Sequence, residues 1–145
     1  MSFTHIQLKT DRQFEIVDIT SKVQAAVTES GVQTGVVLVS VPHTTAAIRV
    51  NHAEPLLLQD MVRTLYRIVP HDTSYNHDQY ESLAGGHPKD HTHGHAHIKA
   101  FLLGNSASVP ISGGSLVLGD KQSILLVECS GPKTRTVHIS CIGNA

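Results

Sequence analysis

The sequence predicts an α+β fold: a largely antiparallel β-sheet or sandwich with two helices packed on one side. Three observations point there. Short β-branched runs dominate the chain, only two segments carry a helical stripe, and the C-terminal half is one strand pattern after another. No repeat or linker interrupts the chain, so residues 1–145 are expected to form a single domain.

Residues 3–9 (FTHIQLK) and 13–17 (QFEIV) read as two short strands around the Thr10-Asp11-Arg12 turn. Asp18 or Thr20 is placed to cap a helix over 21–30, with Val23, Ala26 and Val27 on one face and Gly31 as its stop. Residues 34–41 (TGVVLVSV) are almost continuously apolar, which predicts a central strand buried on both faces. After Pro42-His43-Thr44-Thr45 comes another strand, AAIRV. Glu54-Pro55 opens a second helix, since proline at the first helical position loses no intrahelical bond. Leu57, Met61, Leu65 and Ile68 give it a core stripe, and Pro70 closes it.

From 71 to about 94 there is no apolar periodicity, and Gly85-Gly86 and Pro88 break the chain further. A loop that long in a compact domain is expected to serve a function. Four β-rich runs follow, HIKAFLL, SVPI, SLVL and SILLVEC, and TRTVHISCI is the last strand.

Composition narrows the function. The chain is 40% hydrophobic and 16% charged with a formal net charge of −1, which suits a soluble globular protein without a basic field for nucleic acid. Tryptophan is absent and aromatics are 4%, which argues against stacking on bases. No apolar run approaches a membrane span and the N-terminal MSFTHIQLKT is no signal peptide, so a cytoplasmic location is expected. Cys129 and Cys141, in strand-like contexts, are expected as buried thiols rather than a disulfide.

Histidine is the anomaly. The stretch HPKDHTHGHAHIKA (87–100) holds five of the eleven histidines. His91, His93, His95 and His97 alternate, so in an extended chain their rings fall on one face about 6–7 Å apart, within reach of one divalent ion such as zinc. A solvated loop explains the same letters. His95 and His97 are the stronger candidates because they lead into a predicted strand.

His43-Thr44-Thr45 follows a buried strand, and an imidazole beside two hydroxyls suits an oxyanion; a plain turn is the competing explanation. Glu128-Cys129-Ser130-Gly131-Pro132-Lys133-Thr134-Arg135 ends an apolar run with a carboxylate and two cations. Glu128 fits a general base or metal ligand, and Lys133 and Arg135 fit phosphate contacts; a hairpin with solvated charges fits equally. His5 and His138 sit inside strand patterns and read as structural or surface residues. His52 lies near the second helix, and Asp78 follows His77 closely enough to orient its ring. There is no glycine-rich phosphate loop, nucleophile elbow or zinc-finger pattern.

Several motifs together resemble the YjbQ-like family, whose members are described as secondary thiamine-phosphate synthases. They are His43-Thr44-Thr45-Ala46-Ala47-Ile48; Asn51 with Glu54-Pro55 and Asp60; Tyr75-x-His77-Asp78; Gly94 to Ala100 (GHAHIKA); Leu103-Gly104-x-Ser106; Val109-Pro110-Ile111; Leu118-Gly119-x-x-Gln122; and Glu128-x-x-Gly131-Pro132. The likeness runs nearly end to end. It implies a homotrimer with a histidine-lined cleft and a divalent metal, zinc by preference, held by His43, His77, His95 and His97. It also implies a transferase joining a hydroxymethylpyrimidine diphosphate to a thiazole phosphate. On that view Glu128 and Lys99 are catalytic, and Thr44, Thr45, Asn51, Gln122, Lys133 and Arg135 bind a small phosphorylated metabolite.

The chain departs from the family pattern in three places. Gly119-Asp120-Lys121-Gln122 replaces Gly-Thr-Trp-Gln, Glu128 to Lys133 reads ECSGPK where Glu-Phe-Asp-Gly-Pro-Arg is common, and His93 stands where Asn is frequent. The lost aromatic and carboxylate favour one alternative, a non-catalytic metal- or phosphometabolite-binding protein; a zinc-dependent hydrolase of small molecules is a further one.

Overall fold

Residues 134–144 show how the core is laid down. Arg135, Val137, Ile139 and Cys141 are buried, and the residues between them are less so, as expected of a strand with one face on a core. The computed structural model describes residues 1–83 and 93–145, with side-chain surroundings for 1–80 and 93–145. In chain order the elements are β1 (Ser2–Lys9), β2 (Glu15–Asp18), α1 (Thr20–Ser30), β3 (Thr34–Ser40), β4 (Ala46–Asn51), α2 (Pro55–Ile68), α3 (Asn76–Leu83) and α4 (Gly94–Leu103). They are followed by β5 (Ser106–Ser112), β6 (Ser115–Leu116), β7 (Ser123–Glu128) and β8 (Thr134–Asn144). All ladders are antiparallel and form two sheets, β1-β8-β3-β5-β6 and β2-β7-β4. The fold is α+β, as predicted.

Between the sheets lies the main core. Val37, Val39, Val109, Ile111, Val137 and Ile139 come from the larger sheet, and Ile48, Ile124 and Leu126 from the smaller. Helix α1 adds Val23, Ala26 and Val27. Gly31 ends it at φ 75°, a left-handed conformation that glycine adopts without a Cβ penalty. Asp18 accepts from the Thr20 N–H at 3.0 Å, which supports the first turn. The other face of the small sheet carries a second cluster: Phe14, Ala47, Ala96, Val127 and Cys129, with Val62, Leu65 and Tyr66 of α2 against it. Glu54 caps α2, accepting from the Leu56 and Leu57 N–H groups at 3.1 and 2.6 Å. Cys129 and Cys141 are buried free thiols.

Four expectations need correction. The run HIKAFLL is a helix, α4, not a strand. It presents small and polar residues inward (His95, Ala96, Lys99, Ala100) and large apolar ones outward, Phe101 being 84% exposed. That inverts the usual helical pattern and hides the period. The segment after Pro70 is not loop throughout, because α3 lies within it. Strand β3 is buried on one face only: the large sheet's outer face is uncovered and Leu38 is 40% exposed. The α2 stripe of Leu57, Met61 and Leu65 lines a groove against Ile16, Leu125 and Val127, and Ile68 points to solvent, so no residue of α2 is fully buried. Among the described residues no helix is long and apolar enough to cross a membrane.

Candidate functional site

At one end of the sandwich, the turn between β3 and β4 meets α4. His43, Thr44 and Ala46 of the turn and strand, with His97, Ala100 and Phe101 of α4 and Asn105 beyond it, line an open cleft of about 430 Å³. His97 is set there because the helix turns it away from the buried face of His95 and Lys99. Its ring also meets that of His77 edge-on, with centroids 4.6 Å apart, and Tyr80 stacks on His77. Asp78 ties α3 to α4 by accepting from the Gly94 N–H at 3.1 Å.

His43 is fixed from behind. The Thr136 N–H donates to its Nε2 at 2.9 Å. A backbone N–H can only donate, so Nε2 accepts and the neutral ring carries its proton on Nδ1. Burial and then the Arg135 charge lower the His43 pKa, against the opposing pull of Glu128. The ring is therefore neutral at pH 7, with one N–H to offer.

Beneath it is a buried ionic knot. Glu128 is 0% and Arg135 3% exposed. Arg135 Nε donates to Glu128 Oε2 at 2.7 Å, and its Nη2 donates to Glu128 Oε1, to the Thr45 carbonyl at 3.1 Å and to Thr45 Oγ1 at 2.8 Å. The Ser130 N–H and Thr10 hydroxyl complete the carboxylate's shell at 2.9 Å each. Burial pushes Glu128 up, but the Arg135 and Ser130 hydrogen bonds, the Arg135 charge and Thr10 together hold its carboxyl below the ordinary value.

A second buried group lies under α4. Lys99 Nζ is 2.7 Å from His95 Nδ1 and 4.5 Å from the centre of the Tyr66 ring. Gln13 stands 3.3 Å from His95 Nε2, and His71 packs edge-on against the same ring. Burial brings Lys99 down to about 8, and burial with the Lys99 and His71 charges brings His95 to about 4. Burial also raises the neighbouring Cys129 thiol to about 12, so it stays protonated and unreactive.

The structure thus divides the expected site residues. His43, Thr44 and His97 share the cleft, with His77 against His97. Thr45, Glu128 and Arg135 form the knot behind it, where neither the expected base nor the expected phosphate contact is exposed. His95 and Lys99 are sealed under α4. Asn51 lies on the separate groove along α2, its Oδ1 accepting from the His52 N–H. Gln122 closes its own turn on the Gly119 N–H, and Lys133 is exposed with Nζ 3.4 Å from Ser130 Oγ. His5 and His138 face each other across β1 and β8. His91 lies outside the described residues. Sequence reading missed Phe101, Asn105, Tyr66 and Gln13. Gly104 after Leu102-Leu103 was the available sign of a helix end, and with it the faces of α4 would have been legible.

Two of the four expected zinc ligands, His43 and His95, are not placed to share a metal. His43 spends its Nε2 lone pair on Thr136, and His95 Nδ1 faces an ammonium. Among the described residues no three His, Cys, Asp or Glu side chains converge on one point. Imidazole binds metal through an unprotonated nitrogen, and neither His43 Nε2 nor His95 Nδ1 is open to one.

Comparison with known proteins agrees with the fold. The family model described as UPF0047 protein YjbQ-like matches residues 4–144. A UPF0047 protein of Archaeoglobus fulgidus is 42% identical over 137 residues, covering 94% of this chain and 98% of its own. YugU of Bacillus subtilis is 34% identical, covering 95% and 97%. Among solved structures, a protein of unknown function from Sulfolobus solfataricus superposes with a TM-score of 0.88 at 35% identity, covering 99% of this chain and 97% of its own. An uncharacterised Clostridium acetobutylicum protein superposes with a TM-score of 0.83 at 37% identity, covering 96% and 99%. The two solved structures are described as of unknown function and as uncharacterised, and among the described residues no donor set forms a metal centre. The expectation of a thiamine-phosphate synthase built on a metal-binding cleft is therefore corrected, and the zinc hydrolase goes with it.

Proposed function

Since the chain belongs to the YjbQ-like family of UPF0047 proteins, whose shared fold leaves the reaction open, we propose that the His43–His97 cleft performs acid–base chemistry on a small phosphorylated metabolite. One observation carries this reading: two imidazoles from distant parts of the chain line the same cleft. The neutral His43 offers a fixed Nδ1–H to a phosphate oxygen, and the Thr44 hydroxyl and Asn105 amide add donors. His97 supplies a second imidazole for proton transfer, the side chain whose ordinary pKa suits that work near neutral pH. Ala46, Ala100 and Phe101 give the open cleft an apolar side.

Titration with inorganic phosphate, followed by NMR of the histidine rings, is the test. His43 and His97 are expected to shift together along one saturable curve. His97→Gln weakens the affinity about tenfold or more, whereas His5→Gln leaves it unchanged. Separate curves for the two rings, or a His97→Gln protein that binds like the parent, would refute the reading.

The same reading takes the subunit as one of three. In its support, the outer face of the large sheet leaves Phe3, Leu38 and Ile142 exposed side by side. Contiguous apolar surface of this kind marks association sites, and symmetric assembly covers it. Ile142→Glu is expected to reduce the mass seen by light scattering from three subunits to one. A single-subunit mass for the parent protein would sink the trimer.

A further inference from the structure

We infer that Glu128 and Arg135 are positioning residues for His43, which they hold in one tautomer and one place at the cleft; the inference rests on the reading of that cleft just given. The argument starts from what the two side chains cannot do. Each is almost completely buried, and every hydrogen bond drawn to the carboxylate comes from Arg135, Ser130 or Thr10. A carboxylate so satisfied, and held below its ordinary pKa, has neither the exposure nor the basicity of a general base. Of the Arg135 fork, Nε and Nη2 are committed to Glu128 and Thr45, and the side chain as a whole is 3% exposed.

What the pair does reach is both ends of the His43 cradle. Arg135 Nη2 binds the carbonyl and hydroxyl of Thr45, two residues after His43. Arg135 is also the residue before Thr136, whose N–H fixes His43 Nε2. One guanidinium therefore clamps the β3–β4 turn to the very stretch of β8 that holds the ring. Glu128 sets the guanidinium in turn, and the backbone of the next residue meets the turn from the other side, the Cys129 N–H donating to the Thr45 carbonyl at 3.0 Å. The strand pairing Ala46↔Glu128 places that anchor directly across from the start of β4. Remove the clamp and only the β3–β8 ladder, whose last pair is Ser40↔His138, and the Thr136–His43 bond itself still tie the two segments.

The charge acts on the ring as well. Groups that face His43 electrostatically are Arg135, Glu128 and His138. Replacing the ion pair by neutral groups removes the Arg135 push and the Glu128 pull together. What remains is burial and a looser geometry, in which the ring is freer to exchange tautomers and to take up a proton at either nitrogen.

The experiment uses the full chain with nitrogen-labelled histidine. In the parent protein His43 is expected in the Nδ1–H tautomer at neutral pH, titrating below an ordinary histidine. Glu128→Gln/Arg135→Met removes the charges as a pair, which a buried site tolerates far better than losing one partner. In that variant His43 is expected to populate both tautomers, to titrate closer to an ordinary histidine, and to answer inorganic phosphate about tenfold more weakly or worse. Thr45→Val, which deletes only one acceptor of the clamp, shifts the tautomer balance in the same direction and keeps the test alive should the double variant not fold.

An Nε2–H tautomer in the parent protein overturns the inference, as does a folded variant whose His43 tautomer and titration match the parent's. The tautomer is read without ligand. A parent His43 that behaves as stated yet ignores phosphate therefore defeats the cleft reading while upholding the positioning role.

Discussion

Glu128→Ala lowers the thermal midpoint by about 6–20 °C. The carboxylate is wholly buried and balances the Arg135 guanidinium, so its removal leaves an uncompensated charge in the interior. Breaking a buried pair from one side costs about 3–5 kcal/mol, and a chain of this size loses roughly 2–4 °C per kcal/mol. The pH dependence has a definite sign. Glu128's folded-state pKa is lowered, so its stabilising contribution is complete above the ordinary carboxylate pKa and fades as pH falls through the folded value. Melting curves of parent and variant should therefore lie far apart at neutral pH and draw together in strong acid. Glu128→Leu/Arg135→Met should recover most of the loss, because an apolar pair of similar volume often replaces a buried ion pair at little cost. A single variant that melts with the parent would mean the pair is not buried as described.

The sequence marked these residues but misassigned their work, for a physical reason. Residues 123–129 are so apolar that they read as a buried strand, and β7 is one. A glutamate at the end of such a strand needs a cation or it would be protonated. What the letters could not give was the cation's direction. Pairing of β8 with β1 and β3, not with β7, turns Arg135 inward across the gap between sheets. The N-terminal strands show the same limit. β1 and β2 are legible one by one, yet β1 pairs with β8 and β2 with β7, so the short turn between them crosses from one sheet to the other. Strand periodicity reports faces, whereas partners depend on the whole chain.

In the candidate site, His43 and His97 were legible as residues because strand ends and histidine-rich segments attract attention. The alternation argument for His91 to His97 required an extended backbone, and α4 removes it. Two residues apart on a helix, His95 and His97 take different sides, which is why one is sealed and the other lines the cleft. The spacing that does matter is His95 to Lys99: four residues along a helix sets them on one face, in contact.

That contact leads to the second large effect, in which Lys99→Met stabilises the protein at pH 7 and the advantage disappears in alkali. Lys99 is fully buried and its pKa falls to about 8. Its folded value lies below the ordinary 10.5, so the unfolded chain holds this proton more tightly and stability climbs as pH rises from about 8 to 10.5. Below that window the charged lysine costs the fold about 3 kcal/mol. Methionine fills similar volume without a charge, though His95 Nδ1 loses its donor at a cost of about 1–3 kcal/mol. The net gain at pH 7 is therefore about 1 kcal/mol, reversing to a loss above pH 10.5 where the parent lysine is neutral.

His95 writes a second window into the same curve. Its folded pKa of about 4 lies below the ordinary 6.5, so stability drops as pH falls from 6.5 towards 4. Burial is the largest cause of that depression and the Lys99 charge the next, so Lys99→Met should make the acid limb shallower as well. Chemical denaturation from pH 4 to 11 checks both. The parent profile should rise, level off between about 6.5 and 8, and rise again, with the variant's curve flatter at each end and crossing it in alkali. A parent curve that is flat from pH 8 to 10.5 would show that the ammonium is not buried, and with it would go the packing of α4 on Tyr66.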